Sequence, residues 1–195
     1  RVNKTMLRLL KGHVVVTTAC LGGPIAQKLT YETDHQGRCI KATDESNGLI
    51  ESEVDFYLDA FGEDFYLEVQ GWWDEENKQQ VYNDWILEFA ERKKIPLVIT
   101  ADAHYLKQED SSLHEILMAQ QIRKTLSDYK KGDFVHGPHY WLATPQQMLD
   151  RAIKIGCEEA FHNTMVISNK CNVEMTLGEY QEPNFDITDE EDYEQ

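Results

Sequence analysis

Three side chains carry most of the chemical interest. Cys20 follows the apolar run Val14-Val15-Val16-Thr17-Thr18-Ala19, and the pair Asp102 and His104 follows Pro96-Leu97-Val98-Ile99-Thr100-Ala101. A thiolate and an imidazole bind borderline cations such as zinc well, and a carboxylate adds charge and can bridge two ions. In an extended backbone alternate residues share a face, so an Asp-x-His pair is expected to chelate together. Folds of alternating strands and helices gather their sites where strands end, so residues far apart in sequence can face one cation. The plain alternatives are that Asp102 caps a turn, that His104 is a satisfied interior histidine, and that Cys20 is core packing. Glu68, in the strand candidate Phe65–Gln70, is a ligand, a residue that supports the ligands, or a surface acid.

These residues need elements to place them, and the chain alternates helix and strand. Asn3 caps a short helix bearing Met6, Leu7, Leu9 and Leu10 that ends near Gly12. Val14 to Thr18 is a β-branched run of the kind buried on both faces of a parallel sheet. Gly22-Gly23-Pro24 turns into a helix over 25–29, and the paired glycines let the backbone approach a bound ion. A helix over 53–61 stops at Gly62, a strand runs from Phe65 to Gln70, and a helix over 77–94 repeats Val81, Trp85 and Phe89 every four residues. With the strand Leu97–Thr100 these make a strand-helix-strand unit, hence parallel pairing.

Beyond His104 the expectation is helical. One helix starts at Asp110 or Ser111, another follows the capping box Thr144-Pro145-Gln146-Gln147, and a last one spans 158–170. His35-x-x-x-Cys39 sits in a polar loop with no second ligand pair, so its zinc-like spacing reads as accidental, and 130–133 reads as a loop. Cys157 and Cys171 lie in helix-like stretches and read as small buried hydrophobes.

With 195 residues, 41% of them apolar, the chain suits one domain with a real core. Its net charge of −16, from 35 acidic and 19 basic residues, argues against a primary grip on phosphate backbones. The acidic stretch 188–195 reads as a solvated tail or linker. No run reaches the ~20 apolar residues that span a bilayer, no signal-peptide pattern is present, and the four cysteines show no disulfide framework. A cytoplasmic location with reduced thiols is expected, as is a piece of a longer protein, since residue 1 is Arg1.

The segments Thr18-Ala19-Cys20-Leu21-Gly22-Gly23, Phe65-Tyr66-Leu67-Glu68-Val69-Gln70 and Thr100-Ala101-Asp102-Ala103-His104-Tyr105-Leu106 resemble the polymerase-and-histidinol-phosphatase (PHP) domain of bacterial DNA polymerase III alpha subunits. Asn163-Thr164 through Glu174, then Leu177-Gly178-Glu179-Tyr180 and Pro183-Asn184-Phe185, resemble the exit of that domain toward the polymerase palm. The resemblance implies an α/β fold, a distorted (β/α)7 barrel with parallel strands and a helical C-terminal part. It implies divalent metal ions (Zn, Mn or Mg) held by Cys20, Asp102 and His104 among others. His114 matches a further family histidine, though on an amphipathic helix a structural role is expected. Lys124-Thr125-Leu126 fits the family pattern except that Arg123 stands where glycine is usual, and a solvated helix end is the plainer reading. His139-Tyr140-Trp141-Leu142 reads as packing.

The family's opening H-x-H ligands do not occur upstream of Cys20, so residues 1–185 are expected to be a partial domain lacking its first strands, and 186–195 a linker. Pro24 and Ala101 stand where glutamate and asparagine are usual. The implied function is a fragment of a replicative DNA polymerase carrying either a metal-dependent 3′ to 5′ exonuclease or phosphoesterase site or a degenerate structural version of it. The carboxylates for nucleotide addition lie outside this chain. The implied partners are the rest of the polymerase chain (palm, thumb and fingers), primer-template DNA mainly through those parts, and replisome subunits. The alternatives are a stand-alone metal phosphatase of a small phosphorylated metabolite and a non-catalytic acidic interaction module.

Overall fold

The computed structural model describes residues 3–72, 77–129 and 138–180. The loop expected at 130–133, the exit at 183–185 and the acidic stretch 188–195 lie outside the described residues. The chain opens with α1 (Lys4–Arg8), capped by Asn3, whose side-chain oxygen accepts from the Met6 N–H at 2.9 Å. Gly12 takes a left-handed φ of 76° and turns the chain away. The strand β1 (Val16–Thr17) follows, shorter than expected. Among the described strands it has a neighbour on one side only, and Val14, Val15 and Val16 are half-buried rather than buried on both faces as expected.

A single 3-10 turn, Ala26–Lys28, replaces the expected helix, because Leu29 is already extended and leads straight into the next strand. That strand is the main correction to the sequence reading. The segment read as loop forms an antiparallel hairpin of β2 (Thr30–Thr33) and β3 (Cys39–Thr43). Its turn is stabilised by Asp34, which accepts from the backbone N–H of Gln36 and Arg38, while Gly37 supplies a φ of 81°. Arg38 closes the loop with an ion pair to Asp34 at 2.8 Å. The hairpin buries Cys39 and Ala42 in the core.

Helix α2 (Leu49–Phe61) starts four residues before the expected first residue, just after left-handed Gly48, and ends at Gly62. Its buried Ile50, Val54, Ala60 and Phe61 face the core. Strand β4 (Phe65–Gln70) is the middle of the sheet and all six residues are buried. Helix α3 (Lys78–Lys93) buries Val81, Tyr82, Ile86 and Phe89, with left-handed Asn77 and Lys94 bounding it. Strand β5 (Leu97–Thr100) pairs with β4 from Leu67↔Leu97 to Gln70↔Thr100. Among the described strands, β1, β4 and β5 form an open parallel sheet in the order β1-β4-β5, fed by helical crossovers.

The remainder is helical: α4 (Ser111–Gln121), α5 (Leu126–Tyr129), α6 (Pro145–Lys154) and α7 (Glu158–Lys170). The capping box at α6 forms as read, with Thr144 and Gln147 exchanging hydrogen bonds. Helix α7 is fixed to the sheet by Asn163, whose side-chain N–H donates to the Leu97 carbonyl at 2.8 Å. The result is an α/β layer structure that presents the C-terminal ends of β1, β4 and β5 together.

Candidate functional site

The loops leaving β1 and β5 both depart from ordinary backbone geometry. Ala19 has φ of 60° and Asp102 of 48°, a left-handed region that costs a non-glycine residue energy and that clusters at functional sites. After Ala19 the chain folds back on itself. The Gly23 N–H donates to the Cys20 carbonyl at 2.7 Å, and a Cβ at Gly23 would sit 2.2 Å from the Thr18 carbonyl oxygen. Only glycine fits there. Cys20, half-buried, has its sulfur 3.4 Å from the Gly22 N–H that donates to it.

Glu68 ties the three strands together. It lies on the central strand, 7% exposed, and its two carboxylate oxygens accept from the hydroxyl of Thr17, the last residue of β1, at 2.6 Å, and from that of Thr100, the last residue of β5. Its own N–H donates to the Thr18 hydroxyl at 2.9 Å. A surface role for Glu68 is therefore wrong. The carboxylate holds β1 and β5 in register directly beneath the loops that carry Cys20 and Asp102.

Past β5 the expected pair does meet. His104 Nε2 is 3.3 Å from Asp102 Oδ1, and both side chains keep about a quarter to a third of their surface exposed. The reason differs from the one read in the sequence: Asp102 is left-handed, not extended, so a tight turn rather than the strand pleat aims the carboxylate at the imidazole. A strap formed by 140–142 holds this turn. The His104 N–H donates to the Tyr140 carbonyl at 2.7 Å, the Leu142 N–H donates to the Tyr105 carbonyl at 3.0 Å, and the Tyr140 ring stands edge-on to His104 at 5.2 Å. The reading of this segment as packing agrees with that. His114, on α4, adds a second imidazole 5.6 Å from the first. Burial pushes the His114 pKa down, the nearby His104 does so further, and Glu115 opposes both.

The remaining candidates lie elsewhere. Lys124 follows Arg123, whose φ of 58° is the left-handed conformation for which glycine is better suited. Lys124 and Arg123 line a cavity of about 470 Å³ with Ile116, Ala119, Gln120 and Leu126, not the strand ends. Cys157 is buried, which pushes its thiol pKa up to about 11, whereas Cys171 is exposed at the end of α7 and is no core residue. Cys39 is buried within β3, whereas His35 is exposed in the hairpin turn.

A metal fits this corner in part. A carboxylate and imidazoles suit a divalent ion, but among the described residues no group of three or more His, Cys, Asp and Glu is arranged to hold one. Asp102 and His104 come together; Cys20 does not join them in a common donor group. Sequence reasoning missed the hydroxyl pair Thr17 and Thr100 around Glu68, for which no spacing signal exists, since the three residues belong to three strands.

No protein-family model matches the chain. It is similar over most of its length to DNA polymerase III subunit alpha of Thermus aquaticus, 29% identical over 193 residues that make up 96% of this chain and 14% of that protein. The corresponding protein of Campylobacter jejuni is 28% identical over 97% of this chain and 15% of its own length. That of Pasteurella multocida is 36% identical over 142 residues, 72% of this chain and 12% of its own. The chain thus spans about a seventh of the length of the curated relatives it matches, and it is related to a segment of DNA polymerase III alpha subunits. Among the described residues no helix is long and apolar enough to cross a membrane.

Proposed function

We propose that the chain is a PHP-type segment of the alpha subunit of a replicative DNA polymerase, an incomplete (β/α)7 barrel. In this reading Asp102 and His104 are its contribution to a divalent-metal centre for phosphodiester hydrolysis at a DNA 3′ end. The observation that carries it is the meeting of these two side chains at 3.3 Å directly past β5, in a chain related along nearly its whole length to alpha subunits. A bound Zn, Mn or Mg ion would activate water and neutralise phosphate charge. The chain's own residues prepare that role. The left-handed turn at Asp102 aims the carboxylate, the Tyr140 strap fixes the His104 backbone, and burial with its neighbour keeps His114 neutral over a wider pH range. Glu68 is a positioning residue that acts through Thr17 and Thr100. Among the described residues Cys20 does not complete a three-donor group with Asp102 and His104.

The reading places the protein in the cytoplasm and makes the palm, thumb and fingers of a polymerase its neighbours. Primer-template DNA is then engaged mainly through those parts. Its test is release of the terminal nucleotide from a 3′-labelled single-stranded oligonucleotide in the presence of Mn²⁺, compared with His104→Ala and Asp102→Asn. Release that falls at least tenfold in both variants supports the site, and release that is unchanged rejects it. A second reading, a structural platform without hydrolysis, is favoured by one observation: Cys20 is turned to the Gly22 N–H and forms no shared donor group. No metal-dependent release by the unaltered protein would select it.

A further inference from the structure

A second cleft, of about 260 Å³, opens beside the strand ends and is lined by Gly71, Trp72, His139, Trp141, Arg151 and Lys154, with Asp150 at its side. Its centre is Arg151, only 9% exposed, whose guanidinium lies 4.6 Å over the Trp141 ring. Its one polar contact is the Met148 sulfur at 4.0 Å, and no carboxylate of the described residues pairs with it. A buried, unpaired guanidinium is costly, so a cleft built around one has an anion as its natural occupant.

The walls are aromatic. Trp72 follows β4, is 4% exposed and donates its indole N–H to Gln70 at 3.2 Å, which fixes the ring. The His139 ring lies nearly parallel to it, 5° off with centroids 6.4 Å apart, and the half-buried Trp141 ring stands 6.5 Å from His139. Glycine makes the close approach possible: a Cβ at Gly71 would sit 2.4 Å from Arg151 Cβ. The Asp150 carboxylate is occupied by the Gln146 amide at 2.8 Å. Tyr140 links this cleft to the Asp102–His104 corner, 4.6 Å from Trp72 and 5.2 Å from His104 between ring centroids.

We propose that this cleft binds a nucleobase together with its phosphate, the base against the His139 and Trp141 rings and the phosphate on Arg151 and Lys154. Planar rings stack on bases irrespective of sequence, and a guanidinium recognises phosphate through its fork of donors. The volume is below the ~300–1,000 Å³ of pockets for drug-sized ligands, so it suits one nucleotide rather than a duplex. Such a site is compatible with a strongly acidic chain, because Arg151 and Lys154 supply positive charge locally within the cleft. The inference deepens the proposed function by naming the group seated next to Asp102 and His104 and rests on that reading for the reaction, but base binding stands without it.

The test is fluorescence titration of the protein in EDTA, so that metal plays no part. Three probes are used: a trinucleotide with 2-aminopurine at its 3′ end, the same trinucleotide with an abasic 3′ end and a label at its 5′ end, and 2-aminopurine deoxyribonucleoside monophosphate. The first is expected to bind with quenching and the abasic probe at least about 5-fold more weakly. Trp141→Leu, a half-exposed position, is expected to weaken binding about 5- to 150-fold. Lys154→Ala, on the surface, and Arg151→Lys, which keeps charge but loses the fork, should each weaken it while circular dichroism is unchanged. Monophosphate binding as tight as the trinucleotide assigns the site to free nucleotides, and weaker binding assigns it to strand ends. Equal affinity for the abasic probe, or affinity indifferent to Trp141→Leu and Lys154→Ala, would overturn the proposal. Since metal is absent, binding here with no hydrolysis in Mn²⁺ would sink only the hydrolytic reading.

Discussion

Replacing Glu68 is expected to loosen all three strand ends at once. The buried Glu68 carboxylate accepts two hydroxyl hydrogen bonds from neighbouring strands, one from the exposed Thr17 and one from the half-buried Thr100. Hydrogen bonds to charged groups contribute about 1.5–3 kcal/mol each, and a buried partner left unsatisfied costs about 1–3 kcal/mol. Glu68→Gln keeps the shape and one good acceptor, so it should cost about 1–2 kcal/mol. Glu68→Ala removes both bonds, leaves the half-buried Thr100 hydroxyl without its acceptor and opens a cavity, so it should cost about 3–5 kcal/mol. For a chain of this size each kcal/mol moves the melting temperature by about 2–4 °C, giving roughly 2–8 °C for glutamine and 6–20 °C for alanine. Differential scanning calorimetry measures both. Adding Thr17→Val and Thr100→Val to Glu68→Ala should recover part of the loss, because no hydroxyl then seeks a partner. If Glu68→Ala melts within 2 °C of the unaltered protein, or the valines make it worse, Glu68 does not organise the sheet as argued.

Other consequences follow from single contacts. Gly23→Ala places a methyl against the Thr18 carbonyl and is expected to cost about 1–3 kcal/mol, read as a lower urea midpoint. An unchanged midpoint would mean that the Cys20 turn is not fixed. Below the ordinary value of 6.5 the unfolded chain takes up a proton on histidine before the folded His114 does, so stability should fall as pH drops from 7 toward 5. His114→Gln should flatten that fall in denaturant titrations, and an identical pH slope would exclude His114 as its source. Iodoacetamide at pH 8 should label Cys171 rapidly and Cys157 only after unfolding, since burial holds the latter thiol near 11. Mass spectrometry of the labelled peptides checks both.

Much of this fold was legible because its strongest signals are local. β4 is rich in aromatic and aliphatic residues, β5 is a short apolar run, and α6 carries a full capping box, so the limits of the two strands and the start of the helix match the expectation. The hairpin of β2 and β3 escaped because its faces alternate weakly: Ile40 is exposed at 59% while Cys39 and Ala42 are buried, and a bulge at Glu32 and Thr33 breaks the period. Asp34 and Gly37 were the available turn signal. β1 was read too long because a β-branched run looks alike at the centre or the edge of a sheet, and only pairing tells them apart. In the site, the meeting of Asp102 and His104 was legible from spacing, though a left-handed turn produces it. The role of Glu68 was not, because its partners lie on other strands.

The central claim is that Asp102 and His104 are metal donors, and isothermal titration of Mn²⁺ and Zn²⁺ into the protein tests it most directly. The account predicts binding that weakens at least tenfold in Asp102→Ala and in His104→Ala, with the double variant binding no more tightly than either single one, since the two donors serve one ion. Binding that is absent from the unaltered protein, or that is the same in all four proteins, would contradict it.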